Sequence, residues 1–154
     1  MTTRERAPIS EPFTLEQIDT TLIPSGNRSD GTASTWSDIW KFQVPAGQGI
    51  TLMSGGQISM YLEDASTEVS NNTCRVRISI ADTSENDGRV IWGPQPYVNV
   101  KEFADRRKVA RFQLASPVPI YEEQFLKIQV YDDAAIDESD STFMIEMVRT
   151  RQGL

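Results

Sequence analysis

An acidic segment near the end of the chain has the residue types that come closest to chemistry. The stretch YDDAAIDESDS places five carboxylates within nine residues: Asp132, Asp133, Asp137, Glu138 and Asp140. Calcium takes about six to eight oxygen ligands, so carboxylates that converge in a loop are one way to bind it. The segment lacks the alternating acids and the central glycine of an EF-hand loop. We therefore predict a solvated acidic loop without a metal ion, with a calcium site as the alternative.

The sequence offers little else for catalysis. Histidine is absent and Cys74 is the single cysteine, so the chain has no Ser-His-Asp or Cys-His arrangement and no zinc cluster of thiolates. It contains neither a phosphate-binding loop nor a dinucleotide fingerprint. A carboxylate pair for glycoside hydrolysis stays open, but nothing in the sequence favours one pair over another. We predict that the chain is not an enzyme and carries no cofactor.

Tryptophans provide an alternative function. Trp40 alternates with Phe42 and Val44, and this spacing predicts that it lies in the core. Trp36 precedes that run and Trp92 precedes Gly93-Pro94, so we predict that both are freer to face outward. Exposed aromatic rings bind sugars in carbohydrate-binding β-sandwiches. A carbohydrate-binding or receptor-binding module is therefore the alternative function.

Short strands are the elements that must position these residues. In the stretch WKFQVPAGQGITLMSGGQISMYLED, apolar residues recur at every second position, which is typical of strands with one buried face. No segment keeps a helical period for three turns. About eight to ten strands separated by turn sequences predict an all-β fold, an antiparallel β-sandwich that is jelly-roll-like. The core residues predicted from this stretch are Trp40, Phe42, Val44, Ile50, Leu52, Ile58, Met60 and Leu62.

Composition divides the chain into three predicted parts. Residues 1–36 are rich in Thr, Ser, Pro and charge and predict an extended N-terminal arm and loop, residues 37–150 the β-sandwich domain, and residues 151–154 a C-terminal tail. Sparse apolar residues in the arm suggest anchors for a partner chain, added to backbone pairing. The predicted partner contacts in the arm are Arg4, Arg6, Ile9, Phe13, Leu15 and Ile18.

Charge limits the classes of partner. The formal net charge is -7 at pH 7, which argues against nucleic acid because phosphate binding needs a clustered positive surface. No apolar run approaches the roughly 18 residues of a membrane span, so we expect no membrane partner. Arg106, Arg107 and Lys108 form the one basic cluster in the middle of the sequence. We predict that it is either a docking patch for an acidic surface or a solvated turn.

An all-β, histidine-free chain with an extended N-terminal arm resembles the decoration, or cement, proteins of tailed-bacteriophage heads. The resemblance covers the general pattern of the chain. It implies a structural virion protein that is made in the host cytoplasm and stabilises the junctions of a phage head shell. It also implies two kinds of partner, namely the major capsid protein or a similar shell subunit and further copies of the chain itself, with a trimer favoured.

Overall fold

The computed structural model describes residues 8–70, 72–86, 88–101 and 110–152. Over these ranges the chain is all-β, with short 3-10 turns and no α-helix. Within the described ranges, no helix has the length and apolar character needed to cross a membrane. The strands are β1 (Pro8–Glu16), β2 (Ser37–Gln43), β3 (Gln48–Leu52), β4 (Gln57–Tyr61), β5 (Glu63–Asp64), β6 (Thr67–Glu68), β7 (Arg75–Ala81), β8 (Arg89–Pro96), β9 (Ala110–Arg111), β10 (Val118–Ile120), β11 (Phe125–Tyr131) and β12 (Thr142–Gln152).

Two pairs of these strands lie end to end. β3 pairs with residues 148–151 of β12 and β4 pairs with residues 142–145, so together they follow one edge of that strand. β10 and β9 in turn pair with β3 and β4. β1 occupies the other edge of β12. The first sheet, called sheet 1 below, therefore has four rows in the order β1, β12, β3/β4 and β9/β10.

The second sheet, called sheet 2, contains β2, β11, β7 and β8 in that order. Counted along the chain, the two sheets contain eight rows that pair first with last, second with seventh, third with sixth and fourth with fifth. This is the rolled antiparallel arrangement of a jelly roll, which stacks two sheets over one core. The sequence-based prediction of an all-β, antiparallel, jelly-roll-like fold is confirmed.

The alternating residues of the opening stretch form the core as predicted. All eight, from Trp40 to Leu62, are at most 1% exposed. The indole of Trp40 packs on Phe143 across the two sheets, with ring centroids 4.7 Å apart. Cys74 is also buried, and burial, with the nearby charges of Asp132 and Asp64, raises the pKa of its thiol to about 12.

Residues 8–16 of the predicted arm form β1 and lie in sheet 1 of this same chain. β1 pairs with β12 over nine residues, from Pro8 opposite Gln152 to Glu16 opposite Met144. Leu15 is fully buried, and Phe13 stacks on Phe42 of sheet 2 at 5.9 Å. Residues 8–16 are therefore a structural row of the jelly roll, because their inward side chains complete its core.

Candidate interaction surfaces

The acidic loop between β11 and β12 is fastened to the body of the protein by one of its own carboxylates. Glu138 Oε1 accepts a hydrogen bond from the indole N–H of Trp40 at 2.9 Å. The same oxygen lies 3.4 Å from Arg28 Nη1. Asp30 Oδ1 accepts a hydrogen bond from the Glu138 backbone N–H at 2.9 Å. Glu138 thus holds the loop against β2.

Three further acids of this loop are engaged with other carboxyl groups. Asp132 is buried, and the pKa of Asp64 is raised by burial and then by its hydrogen bond to Asp132 and the charge of that group. The pKa of Asp140 is raised by its hydrogen bond to Asp137 and by the charge of that neighbour. In each pair the neighbouring carboxylate thus favours the protonated form of one group, Asp64 in the first and Asp140 in the second. Among the described residues, no three metal-ligating side chains are grouped so that they could hold a metal ion.

The tryptophans do not form a sugar-binding platform. Trp92 is 9% exposed and packs edge-on against Phe112, so the prediction that it faces outward is wrong. Its position follows from β8, where it lies opposite the inward-facing Ile78. Trp36 is covered by the guanidinium of Arg77, 4.0 Å from the ring centroid. Of the three tryptophans, Trp40 and Trp92 are buried and Trp36 is half-buried under Arg77.

The structure separates the predicted partner contacts of the arm into two groups. Phe13 packs against the core and Leu15 lies within it, whereas Ile9 is 39% and Ile18 is 71% exposed. Solvent therefore reaches Ile9 and Ile18, and their contact with a partner stays a prediction. The five basic residues of the prediction lie outside the described residues: Arg4, Arg6, Arg106, Arg107 and Lys108.

Sequence reasoning missed an ionic contact that joins β1 to β12. Glu11 Oε1 accepts hydrogen bonds from Arg149, at 2.9 Å and 2.6 Å, and from Arg151 at 3.0 Å. These bonds lower the pKa of Glu11. The guanidinium of Arg149 also lies over Phe13, 5.2 Å from the ring centroid. The sequence shows Glu11 near its start and Arg149 and Arg151 near its end. It does not show the strand register that places them side by side.

Prolines lie in three of the strands at the sheet edges. They occupy β1, β8 and β10 as Pro8, Pro12, Pro94, Pro96 and Pro119. Proline has no N–H to donate, so it hinders the addition of a further strand. The edge of β2 is engaged within the chain, where the Ser29 N–H donates to the Ile39 carbonyl at 3.1 Å. A partner is therefore expected to contact side chains rather than to extend a sheet at these edges.

The outer face of sheet 2 carries ion pairs that are satisfied within the chain. Lys127 Nζ lies 3.1 Å from Asp38 and 3.3 Å from Glu85, which also accepts a hydrogen bond from Lys41 at 2.9 Å. Burial alone lowers the pKa of Lys127, but the bonds and charges of the two carboxylates together raise it. These charges stabilise one another and leave few groups in need of a partner.

A glutamine extends this arrangement along the same face. Gln129 donates to Asp38 at 2.6 Å and accepts from Arg77 at 2.7 Å. Arg77 in turn covers Trp36, which packs beside Tyr131. We call these side chains, together with the ion pairs, the polar network of sheet 2: Trp36, Asp38, Lys41, Arg77, Glu85, Lys127, Gln129 and Tyr131.

Comparisons with known proteins identify relatives in structure alone. No family model matches the sequence, and no curated protein matches it. The fold is similar to that of VP17, a capsid protein of bacteriophage P23-77, with a TM-score of 0.62 and 7% sequence identity. That match covers 96% of this chain and 100% of VP17. It is also similar to a chain of the complex of VP16 and VP17, the two major capsid proteins of that phage, with a TM-score of 0.62, 7% identity, and coverage of 92% and 99%. The chain thus has the fold of these capsid proteins over nearly its whole length.

Proposed function

We propose that this chain is a structural protein of a virus particle and that it works in the virion as part of the protein shell. The observation that carries the proposal is the extent of the likeness. A chain of the same size and fold, matched from end to end, is a capsid protein of a bacteriophage. This is an argument by analogy of fold, so it gives a role for the whole domain and no function to any single residue.

The chemistry of the described residues supports a structural role over a catalytic one. In the 132–140 loop, Glu138 binds the indole of Trp40, Asp132 is engaged with Asp64 of β5, and Asp137 is engaged with Asp140. The thiol of Cys74 is buried with a raised pKa, whereas a nucleophilic cysteine needs an exposed site that lowers it. These groups are used to hold the fold together. We therefore propose no reaction and no cofactor.

Two places in the shell are compatible with this role. The likeness to VP17 covers all of that protein, which favours a shell-building subunit that contacts a second shell protein. The general pattern of the sequence resembles phage decoration proteins, which favours a cement subunit bound to the major capsid protein. In both cases the partners are shell subunits and copies of the chain itself. The trimer implied by that resemblance remains a prediction.

Particles purified from the source of the sequence test the proposal. Mass spectrometry of gradient-purified virions should find the chain at many copies per particle, in proportion to the major shell proteins. Absence of the chain from intact particles would contradict the virion role. Removal of its gene then separates the two places. Loss of a shell-building subunit abolishes particles, whereas loss of a cement subunit leaves particles that are less resistant to heat.

A further inference from the structure

The outer face of sheet 1 consists mainly of short, uncharged side chains. Strand register places four of them in one column that crosses every row of the sheet, namely Pro12, Val148, Thr51 and Pro119. All four are exposed or half-buried, and they alternate with inward residues of the core. This central column is therefore free of charge.

Most of the other columns also carry uncharged side chains. Ser10 and Thr150 lie opposite each other and their hydroxyl groups are 3.1 Å apart. On the other side of the central column, Glu146 lies opposite Thr14, and beyond it Met144 lies opposite Ser59 and Thr142 opposite Tyr61. Hydroxyl and apolar groups thus make up most of the outer face along β12, interrupted by Glu146.

Among the described residues of the sheet 1 strands, three charged side chains lie on this face, with a net charge of -1, and Glu63 lies at its end, 2.8 Å from the Tyr61 hydroxyl. The three are Glu16, Glu146 and Arg111, and the last two are joined through Gln57. The Gln57 amide donates to Glu146 Oε1 at 2.9 Å, and its oxygen accepts from Arg111 Nη2 at 3.2 Å. The chain as a whole has a net charge of -7. The described strands of this face therefore carry little of the net negative charge of the chain.

The size of the face suits a stable contact between proteins. Four rows about 4.8 Å apart and nine residues of about 3.3 Å each define an area of roughly 600 Å². Stable interfaces bury about 800 Å² on each partner, and their centres are depleted of charged residues. Protruding side chains make the accessible area of the face larger than this flat estimate. The face thus approaches the area and has the composition that an interface needs.

A second copy of the chain fits this face by symmetry. Two sheets pack face to face when their strands are nearly aligned. A two-fold axis in the plane of the face and along the strands places the β1 row of one copy over the β9/β10 row of the other. Val148 of each copy then meets the row of Thr51 of the other, and the Arg111 side of each meets the Glu16 side. Arg111, the cationic side chain on the described strands of each face, is thereby brought towards Glu16 of the other copy.

We propose that two copies of this chain pack face to face through the outer face of sheet 1. The inference deepens the proposed function, on which its biological meaning rests, by naming the contact surface and its partner. The polar network of sheet 2 then faces away from the pair. A different shell protein on the same face, or a ring of three copies, is a competing arrangement that the test below separates.

Light scattering coupled to size exclusion tests the proposal on the purified full chain. The wild type should show twice the chain mass of 17.3 kDa at high concentration. Val148→Lys should return the mass to that of one chain, because it forces an ammonium group into the centre of the contact. Val90→Lys is the matched control, since Val90 is 43% exposed on β8 of sheet 2, and it should stay paired.

Three results would overturn the proposal: a wild-type mass of one or three chains, a Val148→Lys protein that stays paired, or equal dissociation by both variants. Circular dichroism verifies the fold of each variant. Thr51→Lys, in the adjacent row, gives the same decision if Val148→Lys does not fold. These readouts use purified protein, so they can fail while the chain is still found in virions. The reverse outcome, pairing without a place in virions, would refute the proposed function alone.

Discussion

The two outer faces of the jelly roll are built from opposite chemistry. The outer face of sheet 2 bonds its charges to one another, as Lys127 does with Asp38 and Glu85. The outer face of sheet 1 presents hydroxyl, proline and small apolar groups around Val148 and Thr51. A charged network that is already satisfied gains little from a partner, whereas a flat neutral face loses little when water leaves it. This contrast is the basis for the proposal that sheet 1 makes the protein contact while sheet 2 faces solvent.

The inner faces show no such difference. Both contribute residues that are almost completely buried, such as Ile78 from sheet 2 and Ile145 from sheet 1. Folding requires this inward set, while the outward set is free to vary as long as it keeps the strands soluble. The two inner faces are therefore alike, and any functional difference between the sheets has to lie in their outer side chains.

The largest expected effect comes from a substitution in the core between the two sheets. Trp40→Ala should lower the free energy of unfolding by about 3 to 5 kcal/mol, because it empties a buried site between the sheets. Urea denaturation followed by circular dichroism measures it. Trp40→Phe, which keeps a ring against Phe143 and loses the bond to Glu138, should be less destabilising. A Trp40→Ala protein as stable as the parent would mean that the sheets do not depend on this contact.

The next effect tests β1 as a row of sheet 1. Leu15→Ala should lower the free energy of unfolding by about 2 to 5 kcal/mol, because Leu15 is fully buried. Ile9→Ala, in the same strand and 39% exposed, should lower it by less than about 1 kcal/mol. Chemical denaturation of both variants gives the comparison. Equal and small effects would show that β1 is dispensable to the fold and return it to the role of a separate arm.

A third prediction concerns the pH dependence of stability that arises from Asp64 of β5 and Asp132 of the acidic loop. Burial and Asp132 raise the pKa of Asp64, so the folded state binds this proton more tightly than the unfolded chain does. The resulting stability is fully present below the unfolded pKa and is lost as the pH rises through the folded pKa. Asp64→Asn should therefore melt at a higher temperature than the wild type at pH 7, with an advantage that shrinks on acidification.

The exposed Asp133, next to Asp132 in the acidic loop, supplies the control for this change. Asp133→Asn should leave the melting temperature nearly unchanged at both ends of the pH range. An Asp64→Asn protein that is less stable than the wild type at pH 7 would show that the two carboxyl groups do not oppose each other.

The smallest effect concerns the polar network of sheet 2. Glu85→Gln should lower stability by at most about 1 kcal/mol, since the Glu85 side chain is 36% exposed and such pairs are screened by water. The bond from Lys41, chiefly, lowers the pKa of Glu85, so its contribution is present above the unfolded pKa and is lost as the pH falls through the folded value. Melting curves at pH 7 and in acid measure this. The matched variant Glu16→Gln, on sheet 1, should lower the stability of the monomer less than Glu85→Gln does. A larger effect of Glu16→Gln would contradict the contrast between the two outer faces.

Sequence alone could predict the core because the period of two is a local signal. Trp40, Phe42 and Val44 alternate within one strand, and each is buried as the alternation requires. The alternation does not identify β1 as a strand, because its inward side chains include Glu11 and its outward side chains include two prolines. The arginines that neutralise Glu11 lie 138 and 140 residues away along the chain. Its place in the sheet therefore depended on a long-range register.

The inward position of Trp92 was mispredicted for a different physical reason. The register of β7 and β8 shifts on both sides of Ile78, so simple alternation does not predict which side chains of β8 point inward. Gly93 follows with a φ of 87°, and a Cβ atom there would lie 2.7 Å from the Val76 carbonyl oxygen. The glycine was visible in the sequence as a turn signal. Its use inside a strand, beside an inward tryptophan, was not.

Hydroxyl-radical footprinting of the wild type at low and high protein concentration tests the central claim most directly. Met144 lies half-buried on the outer face of sheet 1 and Trp36 lies on that of sheet 2, and both side chains react readily with the radical. We expect oxidation of Met144 to fall as the concentration rises, while oxidation of Trp36 stays constant. Protection of Trp36 with no change at Met144 would contradict the account, because it would place the contact on the charged face.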